Sequence, residues 1–216
     1  ALGMKPVEHE YKVMGLAAYT SEKYFKDTYE SIFKDLFTID GLEWKSRYPM
    51  NRAFIFLRKK WFGKRFDNIA GALQYMTEEK VTEWIRNGIS QTGIKQIACS
   101  GGVFMNVKLN QKIQEMPEVE KAYFMPSCGD ESNTIGSAMI TYLKHGFPLE
   151  KLAPINSMYL GISHTDKEVM EFFSKIKQGY SLKNCENDKA SMRVVAELLE
   201  KKEIVAVMRG QGEWGA

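Results

Sequence analysis

The stretch that decides the fold reads QIACSGGVFMN and covers residues 96–106. Its first four residues have the apolar character of a short buried strand, the paired glycines predict a tight turn, and a helical pattern runs through 105–115. The order repeats, with a second strand predicted over 121–125, then a polar loop and a helix over 132–145. Alternating strands and helices predict an α/β fold, in which ligands bind at the carboxyl ends of the strands.

The loop after the first predicted strand is a candidate phosphate-binding site. Adjacent Gly101 and Gly102 let a ligand approach the backbone closely, and exposed N–H groups beside a helix start attract anions. Ser100 opens this loop, and Asn106 could add a side-chain amide. The alternative is a tight turn without a ligand, which a glycine pair after a strand more often forms. The spacing matches neither the Walker A loop nor the GxGxxG dinucleotide pattern.

The loop after the second predicted strand contains Gly129 and Asp130. Asp130 could be a ligand for a hard metal or a general base, although an aspartate before a helix commonly serves as an N-cap. Cys128 is predicted to be a small buried hydrophobe rather than a nucleophile, because no histidine is near it in sequence and a neighbouring carboxylate raises a thiol pKa. Two ligand-capable loops on consecutive strands favour a shared site.

The segment before these strands begins with a short amphipathic helix, predicted over residues 9–19. It carries Glu10 and Lys12, which could be either solvated residues at the ends of the helix or residues of a functional site. Residues 20–65 are crowded with aromatic and lysine residues and keep no long period. They predict an irregular or helical insertion, and an insertion beside a shared core is where substrate specificity usually varies.

Two further segments have clear helical spacing. Residues 67–91 predict one long helix, or two joined near Thr77, with Asp67 as the N-cap. Residues 188–201 predict an amphipathic helix that leads into an apolar run over 203–208, which is typical of a buried strand. A glycine-containing loop follows that run, and the chain is expected to be a piece of a longer protein.

Composition excludes several classes of protein. Of the 216 residues 44% are hydrophobic and 26% are charged, which is ordinary for a globular protein, and no apolar run is long enough for a membrane helix. The net charge of +3 is too small for nucleic acid to be the main partner. Three widely spaced cysteines and three histidines argue against a disulfide scaffold or a zinc knuckle and favour a reduced, cytoplasmic location.

Six ordered blocks of the chain resemble the O-carbamoyltransferases of the NodU/CmcH type. The blocks are HEYKVMGLAAY at 9–19, the helix at 68–74, SGGVFMN at 100–106, PSCGD through GSA at 126–138, YLG at 159–161 and IVAVMRGQGEWG at 204–215. Their order and spacing hold over nearly the whole chain, which makes the resemblance far more specific than any single glycine loop.

The resemblance implies an architecture that periodicity does not reveal. Residues 1–160 would be the second lobe of an actin-like, sugar-kinase-like (ribonuclease H-like) domain with 20–65 inserted. Residues 161–216 would be a linker and the first elements of a YrdC-like α/β domain. In this family the smaller domain makes carbamoyl-adenylate from ATP and carbamoyl phosphate. The actin-like domain then passes the carbamoyl group to a hydroxyl of a sugar or natural-product acceptor.

The resemblance also implies roles for individual residues. The nucleotide-binding positions lie in the two glycine loops and are Ser100, Gly101, Gly102, Asn106 and Gly129. Asp130 takes the place of the aspartate that holds a divalent metal, which is iron in this family, and forms the predicted catalytic set with Lys12 and Glu10. The family's first-lobe histidines and its arginine-rich continuation after residue 215 are not in this sequence, so the 216-residue chain alone is expected to be inactive.

Two other functions stay open. One is a threonylcarbamoyl-transfer or sugar-kinase enzyme of the same superfamily, and the other is an actin-like nucleotide-binding module without catalysis. The expected partners are carbamoyl phosphate and a hydroxyl-bearing small molecule, with ATP and a divalent metal as cofactors and a homodimer as the assembly. Neither nucleic acid nor a membrane is expected as a partner.

Overall fold

The computed structural model describes residues 3–5, 8–152, 155, 157–176, 179, 181, 183–208 and 210–213. The chain divides into two compact units, residues 1–141 and 142–216. The predicted domain boundary after residue 160 stays a prediction. Among the described residues, no helix is both long and apolar enough to cross a membrane.

The first part of the chain is mainly helical and has two small sheets. In chain order its helices and strands are α1 (Glu10–Leu16), α2 (Glu22–Thr28), β1 (Phe37–Asp40), β2 (Glu43–Ser46), α3 (Met50–Trp61), α4 (Phe66–Thr92), β3 (Gln96–Cys99), α5 (Val107–Gln114), β4 (Lys121–Phe124) and α6 (Asn133–Lys144). The later helices are α7 (Asp166–Lys175) and α8 (Asp188–Glu200). A short 3₁₀ turn over 17–19 extends α1, a π-helical turn over 29–33 extends α2, and 3₁₀ turns over 102–105 and 130–132 precede α5 and α6.

Helix α4 is the central element of the first unit. It runs through Thr77 without a break, so the single-helix alternative is confirmed. The prediction of Asp67 as its N-cap is wrong, because Arg65 is the last extended residue and Asp67 already lies in the first helical turn. There the Asp67 carboxylate pairs with the Arg65 guanidinium, an ion pair that holds its pKa below the usual range. Left-handed Gly93 ends the helix, and its N–H donates to Ile89 O at 2.8 Å.

Residues 20–65 form an ordered layer that packs on α4 rather than an irregular loop. The aromatic residues of α2 and its extension, Phe25, Tyr29 and Phe33, are buried against Ile69 and Met76 of α4. At Gly71 of α4 an added Cβ would come within 2.8 Å of the Phe25 ring, so only glycine allows this close approach. Aromatic residues that obscure the hydrophobic period of this segment in the sequence therefore form its hydrophobic core in the structure.

Sequence reasoning missed one element of this segment, the antiparallel hairpin of β1 and β2. Its register pairs Phe37 with Ser46 and Asp40 with Glu43, which leaves a two-residue turn whose Gly41 has φ +61°. Glycine is favoured at the first position of a two-residue hairpin turn, so the turn formed by Gly41 and Leu42 could have been found from the sequence. The insertion is helical, as predicted, but it also contains a sheet.

Strands β3 and β4 are parallel and pair Gln96 with Lys121 through Cys99 with Phe124. They confirm both predicted strands and, with the surrounding helices, the α/β class. The side chains that connect this sheet to α4 and α5 are buried together and include Val81, Cys99, Leu109, Ile113 and Cys128. Parallel pairing puts the carboxyl ends of β3 and β4 at one edge, as predicted for the two loops. The actin-like and YrdC-like assignments stay predictions.

The second unit contains helices α7 and α8. Helix α8 confirms the helix predicted from residue 188, and the Asn187 side chain caps it by accepting from Ala190 N–H at 3.0 Å. The predicted buried strand at 203–208 is wrong, since no described residue pairs with it and Ile204 is fully exposed. An apolar run becomes a strand only where another strand accepts its backbone hydrogen bonds. Residues 209, 214 and 215 of the final resemblance block lie outside the described residues.

Candidate functional site

The two glycine-containing loops lie side by side at the carboxyl edge of the β3–β4 pair. Met125 N–H donates to Cys99 O at 3.0 Å, which continues the ladder past the end of β4. Gly101 N–H donates to Cys128 O at 3.1 Å and ties the first loop to the second. The strands therefore bring together the two loops that sequence analysis selected, and both open on the same edge.

The first loop presents free backbone donors. Gly101 has φ +107°, a conformation that L side chains rarely adopt, and it turns the chain into the 3₁₀ turn that begins at Gly102. The N–H groups of Gly102 and Val103 find no acceptor among the described residues. A Cβ added at Gly101 or Gly102 would meet no atom within 4 Å. Two free N–H groups on exposed residues suit a phosphate oxygen.

Asn106 closes this loop in a role that sequence analysis did not assign to it. It is the N-cap of α5, and its Oδ1 accepts from Leu109 N–H at 3.1 Å. The same amide exchanges two hydrogen bonds with Gln74 of α4. A ligand could use only the remaining Nδ2 hydrogen. Ser100 is exposed, and its hydroxyl has no hydrogen-bond partner in the described part of the chain.

In the second loop the two adjacent acidic residues differ in surroundings. The Glu131 carboxylate accepts from the Ser127 hydroxyl and, at 3.1 Å, from Gly129 N–H, and these bonds hold its pKa below the usual range. Gly129, a predicted nucleotide-binding residue, thus has its N–H engaged within the loop. Asp130 is exposed, and its carboxylate accepts no hydrogen bond from any described residue. Asp130 therefore does not cap a helix.

The cysteines of this edge are structural. Cys99 and Cys128 are both buried, which confirms the prediction that Cys128 packs as a small hydrophobe. Burial raises the pKa of both thiols, and the Cys128 thiol donates to Met125 O. A buried, protonated thiol is a poor nucleophile.

Glu10 and Lys12 lie on α1, and both are exposed. The Lys12 ammonium sits 5.7 Å from the centroid of the Tyr11 ring and forms no hydrogen bond or ion pair with the described residues of the two glycine loops. The catalytic roles predicted for Glu10 and Lys12 stay predictions. Helix α1 packs along α4, the helix that also supplies Gln74.

The hydrogen-bond donors and the carboxylate at this edge determine which ligands it could bind. Free backbone N–H groups and an open approach fit a nucleotide phosphate. A metal has less support, because no group of three or more His, Cys, Asp or Glu side chains among the described residues could hold an ion. Among the described residues of this edge, Asp130 has an unengaged carboxylate that could serve as one ligand of a metal.

Comparison with known proteins gives the family. The family model for the carbamoyltransferase N-terminus matches residues 1–139. An uncharacterized protein of Methanocaldococcus jannaschii is 26% identical over 225 residues, which cover 99% of this chain and 36% of that protein. The nodulation protein NolNO of Sinorhizobium fredii is 28% identical over 151 residues, with 68% of this chain and 22% of that protein covered.

A shorter match is to a threonylcarbamoyltransferase. The tRNA N6-adenosine threonylcarbamoyltransferase of Borrelia hermsii is 37% identical over 83 residues, which cover 37% of this chain and 24% of that enzyme. The chain thus spans well under half the length of each of these relatives. The family model, by contrast, matches more than half of the chain. The chain belongs to the NodU-type carbamoyltransferase family.

Proposed function

We propose that the whole protein transfers a carbamoyl group from carbamoyl phosphate to a hydroxyl of a sugar or natural-product acceptor, through a carbamoyl-adenylate made with ATP. The observation that carries this proposal is the pair of free N–H groups at Gly102 and Val103, beside open space at the carboxyl edge of a parallel strand pair. Family membership supports the carbamoyl chemistry. The geometry of the loop supports the nucleotide.

In the proposed mechanism the first loop binds and orients phosphate. The N–H groups of Gly102 and Val103 donate to phosphate oxygens, while Gly101 N–H stays bonded to Cys128 O and keeps the loop in place. These donors are fixed before the ligand arrives, so no reorganisation accompanies charge development on the phosphate. The acceptor hydroxyl would attack the carbamoyl carbon and release its proton to solvent, while the bond from that carbon to the phosphate oxygen would break and AMP would leave with the electron pair.

Asp130 would hold the divalent metal as one carboxylate ligand. A bound metal would polarise the carbamoyl carbonyl as a Lewis acid. Asp130 suits this role because its carboxylate is exposed and unengaged, whereas neighbouring Glu131 holds the loop together. Iron as the metal remains a prediction of the family resemblance, the cytoplasmic location remains a prediction from cysteine usage, and the homodimer also remains a prediction.

One measurement tests the activity. The whole protein is incubated with carbamoyl phosphate labelled at the carbamoyl carbon, with and without ATP, in the presence of a panel of sugars and other hydroxyl compounds. We expect label in a hydroxyl product only when ATP is present, with one AMP released for each carbamoyl group transferred. Transfer that proceeds equally well without ATP would overturn the adenylate step, and no transfer to any acceptor would overturn the activity.

A threonylcarbamoyl-transfer enzyme is the second candidate, favoured by the match to the Borrelia enzyme. The same assay separates the two candidates when adenosine-containing tRNA and threonylcarbamoyl-adenylate are added as alternative substrates. Carbamoyl transfer to a small hydroxyl compound supports the first proposal. Modification of tRNA instead of the small molecule would favour the second.

A further inference from the structure

A chain of three half-buried polar side chains connects the middle of α4 to the end of the glycine loop. Gln74 Nε2 donates to Glu78 Oε1 at 2.7 Å and to Asn106 Oδ1 at 3.1 Å. Gln74 Oε1 accepts from Asn106 Nδ2 at 2.8 Å. Asn106 Oδ1 then accepts from Leu109 N–H at 3.1 Å, where α5 begins. The network therefore crosses from one helix to the loop through a reciprocal pair of amides.

The chemistry of these groups fixes the direction of every bond. An ionised glutamate only accepts, so Glu78 turns the Nε2 end of Gln74 toward itself. With Gln74 oriented, Asn106 can exchange two bonds with it only if Oδ1 faces Nε2 and Nδ2 faces Oε1. This orientation is also the one that caps α5, because the cap needs Oδ1 as an acceptor. Glu78 thus sets the orientation of Asn106 through Gln74.

The position of Asn106 determines the geometry of the free N–H groups. The loop is anchored at its start by Gly101 N–H, which donates to Cys128 O, and at its end by the Asn106 side chain. Between these two anchors lie Gly102 and Val103, whose N–H groups have no acceptor among the described residues. Fixed donors bind an anion better than mobile ones, because less conformational entropy is lost on binding.

We propose that Gln74 is a positioning residue of the nucleotide site, which holds Asn106 and thereby the donors of Gly102 and Val103 in their binding geometry. The inference rests on the proposed function, because it assigns the anion at this loop to the phosphates of ATP. Gln74 itself does not touch the nucleotide. Its effect is on affinity, transmitted through the loop.

The test compares two amide-to-leucine variants of α4 in the whole protein. Gln74→Leu removes the bonds to Glu78 and Asn106. Asn87→Leu is the matched control, because Asn87 Nδ2 donates to Gly41 O at 2.9 Å and connects the same helix to the hairpin rather than to the loop. Melting temperature and ATP affinity, the latter by calorimetry, are measured for both variants and for the unsubstituted protein.

We expect both variants to lose thermal stability, and Gln74→Leu to lose more, since it removes three side-chain hydrogen bonds and Asn87→Leu removes one. Only Gln74→Leu should weaken ATP binding, by about tenfold, the change expected when hydrogen bonds that fix a binding loop are lost. A purely structural role would lower the melting temperature without this selective loss of affinity.

Gln74→Glu provides a second variant of nearly unchanged shape, which keeps the inference testable if leucine prevents folding. Its carboxylate cannot donate to Glu78 or to Asn106 Oδ1, so ATP affinity should fall as well and recover partly at acidic pH, where a protonated carboxyl donates again. Unchanged ATP affinity in both Gln74 variants, with the unsubstituted protein binding ATP, would overturn the positioning role and leave the proposed function standing. Failure of the unsubstituted protein to bind ATP would overturn both.

Discussion

Asp130→Asn in the whole protein is expected to remove bound metal and carbamoyl transfer while the melting temperature stays within a few degrees. The neutral amide lacks the charge that makes a carboxylate oxygen a strong ligand for a divalent ion. Stability should hardly change, because the Asp130 carboxylate is exposed and accepts no hydrogen bond from the described residues. Surface substitutions of this kind usually alter the free energy of unfolding by about 0.5 kcal/mol or less. Elemental analysis, a transfer assay and thermal unfolding measure the three quantities.

Glu131→Ala is the matched control for this experiment. Its carboxylate accepts from Ser127 and from Gly129 N–H, so the substitution should lower the melting temperature and loosen the loop. The pKa of Glu131 is depressed in the folded protein, so its stabilising contribution is present above the ordinary carboxyl pKa and is lost as the pH falls through the folded value. If Asp130→Asn keeps stoichiometric metal and normal turnover, the metal-ligand assignment is wrong.

Gly102→Val is expected to weaken ATP binding by at least about tenfold without unfolding the protein. A Cβ at Gly102 meets no protein atom within 4 Å, and the residue does not need a positive φ, so the fold accepts a side chain there. The valine side chain should exclude the phosphate sterically, because its methyl groups would fill the space beside the free N–H groups. Gly102→Ala should have a smaller effect than valine, as expected for steric exclusion.

Two variants serve as controls for the Gly102 series. Gly88 lies in the half of α4 that is remote from Gln74. Gly88→Ala places a methyl group 3.6 Å from the Leu42 side chain, an ordinary contact distance, and should leave ATP affinity unchanged. Gly101→Ala should lower stability instead, because its φ of +107° is unfavourable for any L residue. If Gly102→Val binds ATP as tightly as the unsubstituted protein, this loop is a tight turn that does not bind the nucleotide.

The strand pair and its two loops are predictable from sequence because strong local signals coincide there. Short apolar runs, paired glycines and a helix start specify β3, the turn and α5 within a few residues, and β4 repeats the pattern. The network of Gln74 with Asn106 is a different case. It joins residues 32 positions apart in sequence, and no local pattern in one chain shows that two amides will meet.

Tertiary context explains the remaining misses. Asp67 has the residue type of an N-cap, yet α4 begins one residue before it, and a shift of this size lies below the resolution of pattern reasoning. The run at 203–208 has strand composition, but it remains unpaired in the described structure, and pairing is a property of two segments rather than one. In residues 20–65 the buried Phe25, Tyr29 and Phe33 recur at helical spacing on one face, and exposed aromatic residues such as Tyr24 conceal that period in the sequence.

The central claim is that the N–H groups of Gly102 and Val103 bind a phosphate of the nucleotide. The most direct measurement is a crystal structure of the whole protein with a non-hydrolysable ATP analogue. We expect phosphate oxygens about 2.9 Å from both nitrogens, the ordinary length of an N–H···O hydrogen bond. A nucleotide bound at another place, with both N–H groups left facing solvent, would contradict the claim.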